Sequence, residues 1–349
     1  MLGINRSRAV FVCGAITAGT LVFLACTGDD PVFPSAVADG GDSGAVTIDE
    51  AGIDAADRPC DPAKKFDPPV PLAALSNPDI AETNARFTAG ETTAFFANYG
   101  VDGGVLYGAP GGDGFLLDNF WGDIYSITRA STAAPFGTAK LVSSLSSPTL
   151  EGAPTVTADG KTAYFARYEG STTKATIWTA VGGSGTEFDG PAPVAGGLND
   201  GGSEESPYVL PDGSALYFKR TQKTLGGLYR SPVANGKVGD PQPVPGIASN
   251  AGDYLGTVVV SGDELTIYWS VGIQGVTAGT DIFVATRADK SLPFSGKHAL
   301  TEVNTALEES PTYVSADGCR LYYMSADVTQ TAGPGVVFHS DIYVATKPK

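Results

Sequence analysis

Four glutamates recur in one register of this chain. Glu82, Glu151, Glu204 and Glu309 each stand four residues ahead of a matching apolar segment. At the fifth such place stands Leu255, with Asp253 nearby. Carboxylates gathered in a ring would hold a cation or dock a basic partner. Their other use is local, as acceptors for turn amides and neighbouring repeats, and a residue repeated in a repeat protein is more often structural. A second group with chemical potential is the glycine-rich stretch 99–122, which carries Tyr107, Phe115, Phe120 and Trp121 beside Asp102, Asp113 and Asp118. Aromatics on adaptable backbone suit binding of a protein or glycan. The same residues also suit a lid that buries its own apolar side chains. The spacing is not that of an EF-hand loop. The stretches 271–280 and 326–340 are expected on the same face.

Other chemistry is poorly represented. The two histidines, His298 and His339, fall in an outer strand and just before a strand. No serine stands in a nucleophile-elbow context with triad partners. There is no lysine-bearing phosphate loop and no dinucleotide fingerprint. Two histidines argue against a His-rich metal centre, so no metal and no cofactor are expected. A formal net charge of −16 argues against nucleic acid as a partner, because phosphate binding is driven by Lys and Arg. Acids are plentiful enough that a two-carboxylate glycosidase stays open.

The elements that would position these groups are repeats. Segments 86–96, 155–165, 208–218, 259–269 and 313–323 align on one another. Each reads as a short apolar strand, a tight turn and a strand closing on two aromatics. Asp-Gly at the turn suits a hairpin, since Gly accepts positive φ and Asp tolerates it. The closing aromatics are Phe96, Phe165, Phe218, Trp269 and Tyr323. A third strand follows around Ile124, Ile177, Leu228, Ile282 and Ile342, and a fourth, Pro-containing edge strand follows within 135–145, 188–198, 237–247 and 294–303. Four strands per copy make a propeller blade. The fifth copy ends without its fourth strand. The sequence Phe66-Asp67-Pro68-Pro69-Val70-Pro71-Leu72 matches Phe188-Asp189-Gly190-Pro191-Ala192-Pro193-Val194. The strand before blade one should therefore complete blade five and close the ring. The fold expected is all-β: a five-bladed β-propeller of four-stranded antiparallel blades. With 45 glycines and 24 prolines, the composition suits many tight turns.

The motif of strand, Pro-Asp-Gly, aromatic pair and Asp-Ile-Tyr resembles the repeats of the TolB-type, WD-like periplasmic β-propellers. Residues 206–218 and 310–343 carry it most sharply, and the likeness covers about 66–349. Blade four departs from it at Ser261-Gly262-Asp263, and blade one lacks the Asp before Gly90. The resemblance implies a binding propeller rather than an enzyme.

The N-terminus reads as an address. Arg6 and Arg8 precede a 17-residue apolar and small-residue run, Ala9 to Ala25. The run ends Val22-Phe23-Leu24-Ala25-Cys26, which resembles the bacterial lipoprotein box, with Phe23 where that box usually has Leu. Residues 1–25 are expected to be a lipoprotein signal and Cys26 the lipidated residue. Ordinary signal cleavage and an uncleaved anchor are the alternatives. Residues 26–65 are expected to form an acidic disordered tether, with nine acids against Arg58, Lys64 and Lys65. Residues 66–349 are expected to form the propeller. With Cys13 in the signal and Cys26 lipidated, Cys60 and Cys319 remain. In a four-strand meander the first turn and the start of the fourth strand lie at one end of the blade. A Cys60–Cys319 disulfide clamping the ring closure is expected, the alternative being two free buried thiols.

The chain therefore reads as a monomeric, membrane-tethered, extracytoplasmic propeller of the bacterial envelope that binds a protein or peptide without catalysis. A carbohydrate-active propeller, either glycan binder or paired-carboxylate hydrolase, is the alternative.

Overall fold

The computed structural model describes residues 12–17, 20–25, 59–76, 81–98, 104–108, 115–116, 122–168, 174–182, 186–200, 202–222, 225–247, 253–273, 279–330 and 335–349. Two compact units are present, 1–55 and 56–349. The first contains an antiparallel pair, Val12–Thr17 with Thr20–Ala25. No helix among the described residues is long and apolar enough to cross a membrane. Trp121 and Cys26 lie outside the described residues, as does most of 26–65.

The second unit is a five-bladed β-propeller. Blade one runs Glu82–Phe87, Thr93–Asn98, Asp123–Thr128 and Lys140–Leu141. Blade two runs Glu151–Val156, Thr162–Tyr168, Ala175–Gly182 and Phe188–Pro193. Blade three runs Ser203–Val209, Ala215–Gln222 and Leu225–Ala234, with the short outer pieces Lys237–Val238 and Gln242–Pro243. Blade four runs Asp253–Val260, Thr266–Ile273, Asp281–Thr286 and Ser295–Ala299. Blade five runs Glu308–Val314, Arg320–Gln330 and Gly335–Thr346. Its outer strand is Val70–Pro71, paired through Val70 with Val344 and Pro71 with Tyr343. The first strands of successive blades pack on one another, one to two, two to three, three to four, four to five and five to one, so they line a closed axis.

The aromatic repeat has a packing reason. Each closing aromatic is the direct cross-strand partner of the third-strand aromatic. The pairs are Phe96 with Tyr125, Phe165 with Trp178, Phe218 with Tyr229, Trp269 with Phe283 and Tyr323 with Tyr343. Ring centroids lie 5.7–6.5 Å apart. Such pairs add about 0.5–1.5 kcal/mol beyond area burial. The aromatic before each closing one (Phe95, Tyr164, Tyr217, Tyr268, Tyr322) is buried, because successive strand residues face opposite sides of the sheet. Apolar clusters span the blade interfaces, as where Phe95 and Phe165 share one core and Phe87 and Tyr322 another.

Ring closure is covalent as well as hydrogen-bonded. Cys60 and Cys319 form a disulfide, with Cα atoms 5.7 Å apart across 259 residues. Asp61 N donates to Pro348 O at 2.9 Å, and Asp67 N to Thr346 O at 2.8 Å. Phe66 is buried in the large core, edge-on to Tyr268. Among the described residues, contacts with the ring begin near Cys60.

The blade-one insertion pairs by backbone onto blade five. Gly104–Gly108 lies antiparallel to the start of Gly335–Thr346, with Tyr107 opposite Gly335, and Phe115–Leu116 pairs onto Gly104–Gly108. The long blade-five hairpin, 320–346, supplies the edge that receives it.

Candidate functional site

The axis has two ends with different chemistry. At one end lie the hairpin turns between first and second strands. Asp side chains shape these turns: Asp159, Asp212, Asp263 and Asp317 each accept the N–H two residues on, at 2.9–3.0 Å. Gly160, Gly213 and Gly318 follow with φ near +70°. In blades one and four that glycine place is held by Glu91 (φ 54) and Glu264 (φ 59). A non-glycine there costs about 1 kcal/mol. Both glutamates are buried and reach into the preceding blade. Glu264 accepts Arg230 Nε at 2.7 Å and Tyr217 OH at 2.5 Å, with Arg287 and Lys290 nearby. Glu91 accepts Arg320 Nη2 at 2.7 Å and Tyr322 OH, with Arg129 at 4.0 Å. Burial pushes the Glu264 carboxyl up, but its Arg230 and Tyr217 hydrogen bonds outweigh that and leave it below the usual carboxylate range. The two turns that depart from the sequence repeat are therefore inter-blade staples.

The other end begins where the first strands start, and here the recurring glutamates fall differently from a ring at the channel mouth. Glu82, Glu151, Glu204 and Glu309 are all buried, at 0–2% exposure. Glu151 accepts Ser147 N at 3.0 Å, Ser147 Oγ, Thr149 Oγ1 at 3.0 Å and Arg167 Nε at 2.7 Å. Glu309 accepts Thr305 N at 3.1 Å, Thr305 Oγ1 at 2.5 Å and Ser325 Oγ at 3.3 Å. Glu204 accepts Arg220 Nε at 3.0 Å, while Arg220 Nη2 donates to Leu198 O at 2.6 Å. These three carboxylates tie the loop entering each blade to its first two strands. Burial raises their pKa values, and their donors pull back only part of that rise.

The mouth itself is a cavity of about 210 Å³ with lining residues from all five blades. Its wall includes Asn84, Ala153 and Ser206, the left-handed bulge residues of blades one to three, with φ of 53°, 47° and 50°. Thr257 of blade four and Ser310 of blade five extend it. A bulge re-aims side chains and strengthens local twist, and the polar side chains among these, Asn84, Ser206, Thr257 and Ser310, line the cavity. The carboxylates that line this cavity are Glu205 and Glu308, neighbours of the expected Glu204 and Glu309. Glu205 pairs with Lys219 Nζ at 3.2 Å and accepts Ser203 Oγ at 2.8 Å. Burial raises the pKa of Glu308, the Thr280 hydroxyl opposes it and Glu309 adds to it. The signal for both was in the sequence, as the acidic pairs 204–205 and 308–309.

Of the remaining candidates, Tyr107 lies in the strand docked on blade five. His298 is exposed on the outer strand of blade four, and His339 is exposed too. No group of three or more His, Cys, Asp or Glu side chains among the described residues is arranged to hold a metal ion.

Fold and site together define a five-bladed propeller with a stapled turn end and a polar axial mouth. By sequence the chain matches no family model and no curated protein. By fold it is similar to TolB from Acinetobacter baumannii, at 17% identity over 77% of this chain and 55% of that one, TM-score 0.46. The chain thus spans about half the length of that protein. It is also similar to a putative TolB from Agrobacterium tumefaciens, at 12% identity over 76% of this chain and 74% of that one, TM-score 0.43. A third similarity is to the catalytic domain of a GH62 α-L-arabinofuranosidase from Coprinopsis cinerea, at 11% identity over 82% and 98%, TM-score 0.48. The fold assignment rests on the blade topology itself.

Proposed function

We propose that this chain is a monomeric, non-enzymatic binding propeller of the bacterial cell envelope, and that its axial mouth receives a protruding segment of a protein or peptide partner. The supporting observation is the mouth. It is below the usual range of small-molecule pockets, roughly 300–1,000 Å³, and is walled by short hydroxyl and amide side chains with one ion-paired and one half-buried carboxylate. That lining offers hydrogen bonds to a chain end or side chain and carries no nucleophile–base pair. The Cys60–Cys319 bond favours an oxidising, extracytoplasmic compartment. The lipoprotein-like Cys26 motif favours a lipid tether through the acidic segment 26–65. Metabolic acyl labelling, abolished by Cys26→Ala, tests the tether.

The test of the mouth is short-range crosslinking in intact cells. A discrete protein adduct should form with the wild-type chain and disappear with Glu308→Lys while the melting temperature holds. Persistence of that adduct in the variant would remove the mouth as the binding surface. One observation keeps the carbohydrate reading in play: two carboxylates share a pocket, one with a counter-ion and one driven toward protonation, a difference that acid–base hydrolysis uses. Polysaccharide cleavage lost in both Glu205→Gln and Glu308→Gln would establish that reading instead.

A further inference from the structure

Arg86 stands on the inner strand of blade one, at the place held by Thr155, Tyr208, Val259 and Tyr313 in the other blades. It is the only charged residue of the five, and it is 1% exposed. Its guanidinium lies 4.9 Å from the centroid of the Tyr208 ring, and Nη2 donates a long bond, 3.4 Å, to Val258 O. Nε and Nη1 have no protein acceptor among the described residues. Tyr208 does not take up the charge, since its hydroxyl donates to Val260 O at 2.9 Å and burial holds its pKa up at about 12. Burial lowers the Arg86 pKa to about 10, which leaves it cationic at neutral pH. A buried charge without a counter-charge is strongly unfavourable, and proteins resolve it by pairing. Other buried arginines of the ring follow that rule, as Arg220 does with Glu204 and Arg287 with Glu264.

Beside Arg86 is a chamber of about 40 Å³ with a mostly apolar wall that includes Phe87, Val156 and Val209, and with Arg86, Thr155, Tyr208 and Tyr313 as its polar residues. About 10–15 Å³ of space open to the centre of a water is enough for one water molecule, so the chamber has room for a small inorganic anion. We propose that this axial chamber binds a small inorganic monoanion, held by Arg86 Nε and Nη1, with chloride as the physiological occupant. The site is independent of the partner-binding mouth. A water molecule would satisfy the two N–H groups but leave the charge uncompensated.

Two measurements decide it. The first is anomalous X-ray scattering from crystals of the wild-type chain grown in sodium bromide. One bromide peak within hydrogen-bonding distance of Arg86 is expected; water density there without an anomalous signal would overturn the proposal, and this measurement needs no variant to fold. The second is thermal unfolding of the full chain in sodium chloride and in sodium gluconate at equal ionic strength. In chloride the melting temperature should rise by about 3 °C per tenfold concentration above the dissociation constant, gluconate should give no such rise, and Arg86→Met should remove the difference. Identical melting of the wild-type chain in the two salts would overturn the site.

Discussion

The turn end and the strand-start end of this propeller are built from the same five repeats and solve opposite problems. At the turn end the ring is fastened. The disulfide joins blade five to the segment before the closing strand, Glu91 and Glu264 bridge to neighbouring blades, and turn amides link directly, Ala89 N to Ala158 O and Ala158 N to Pro211 O. At the strand-start end the glutamates are spent within their own blades, and a polar cavity is left between them. The lesson is a division of labour along one axis. Blades are also linked at the strand-start end, as by Thr257 Oγ1 to Pro311 O and Ser340 Oγ to Glu82 O, but among the described residues only that end carries strand bulges in left-handed backbone, at Asn84, Ala153 and Ser206.

Variants can break that comparison, beginning with the largest expected effect. Cys60→Ser should cost about 3–5 kcal/mol of stability by opening a closed loop of 259 residues, read by denaturant unfolding under non-reducing conditions. It should leave mouth crosslinking intact under conditions where the ring is folded. Glu264→Gln should cost about 3 kcal/mol, because Arg230 and Arg287 lose their buried acceptor. A loss below about 0.5 kcal/mol would show that the staple is decorative.

The same residue gives a pH signature. The folded-state pKa of Glu264 lies below its unfolded value of about 4.5, so its stabilisation is complete above pH 4.5 and is lost as pH falls through the folded value. Glu151, Glu204 and Glu309 have the opposite sign. Their folded pKa values are raised, so stability falls as pH rises from about 4.5 through those values. Glu264→Gln should therefore flatten the acid limb of the stability profile, and Glu309→Gln should flatten the limb above it. The smallest stability effect belongs to the mouth: Glu308→Gln should change unfolding free energy by less than about 1 kcal/mol, since the group is half-buried and already biased toward protonation.

The blades were legible because their signals are local. Asp-Gly turns, paired aromatics and the Phe66–Leu72 likeness to Phe188–Val194 each depend on a few adjacent residues. The disulfide was legible because meander geometry and cysteine arithmetic converge on one pair. The facing of the glutamates was not. A strand alternates sides with every residue, and a bulge follows within two or three positions. Register alone could place Glu204 and Glu309 near the axis, but could not tell them from Glu205 and Glu308. The staples were visible only as departures from a pattern. Aligning the turns shows Glu91 and Glu264 in the slot of Gly160, Gly213 and Gly318, yet their arginine and tyrosine partners lie in another blade, beyond any local reading. Arg86 was likewise marked as the one charge in an otherwise neutral layer of aligned positions.

The division between the two ends is tested most directly by paired photocrosslinking in intact cells. One chain carries a crosslinking amino acid at Thr257, in the mouth, and another carries it at Asp212, on the turn end. The account predicts a discrete partner adduct from position 257 and none from position 212. An adduct from position 212 alone would place binding on the stapled end and contradict it.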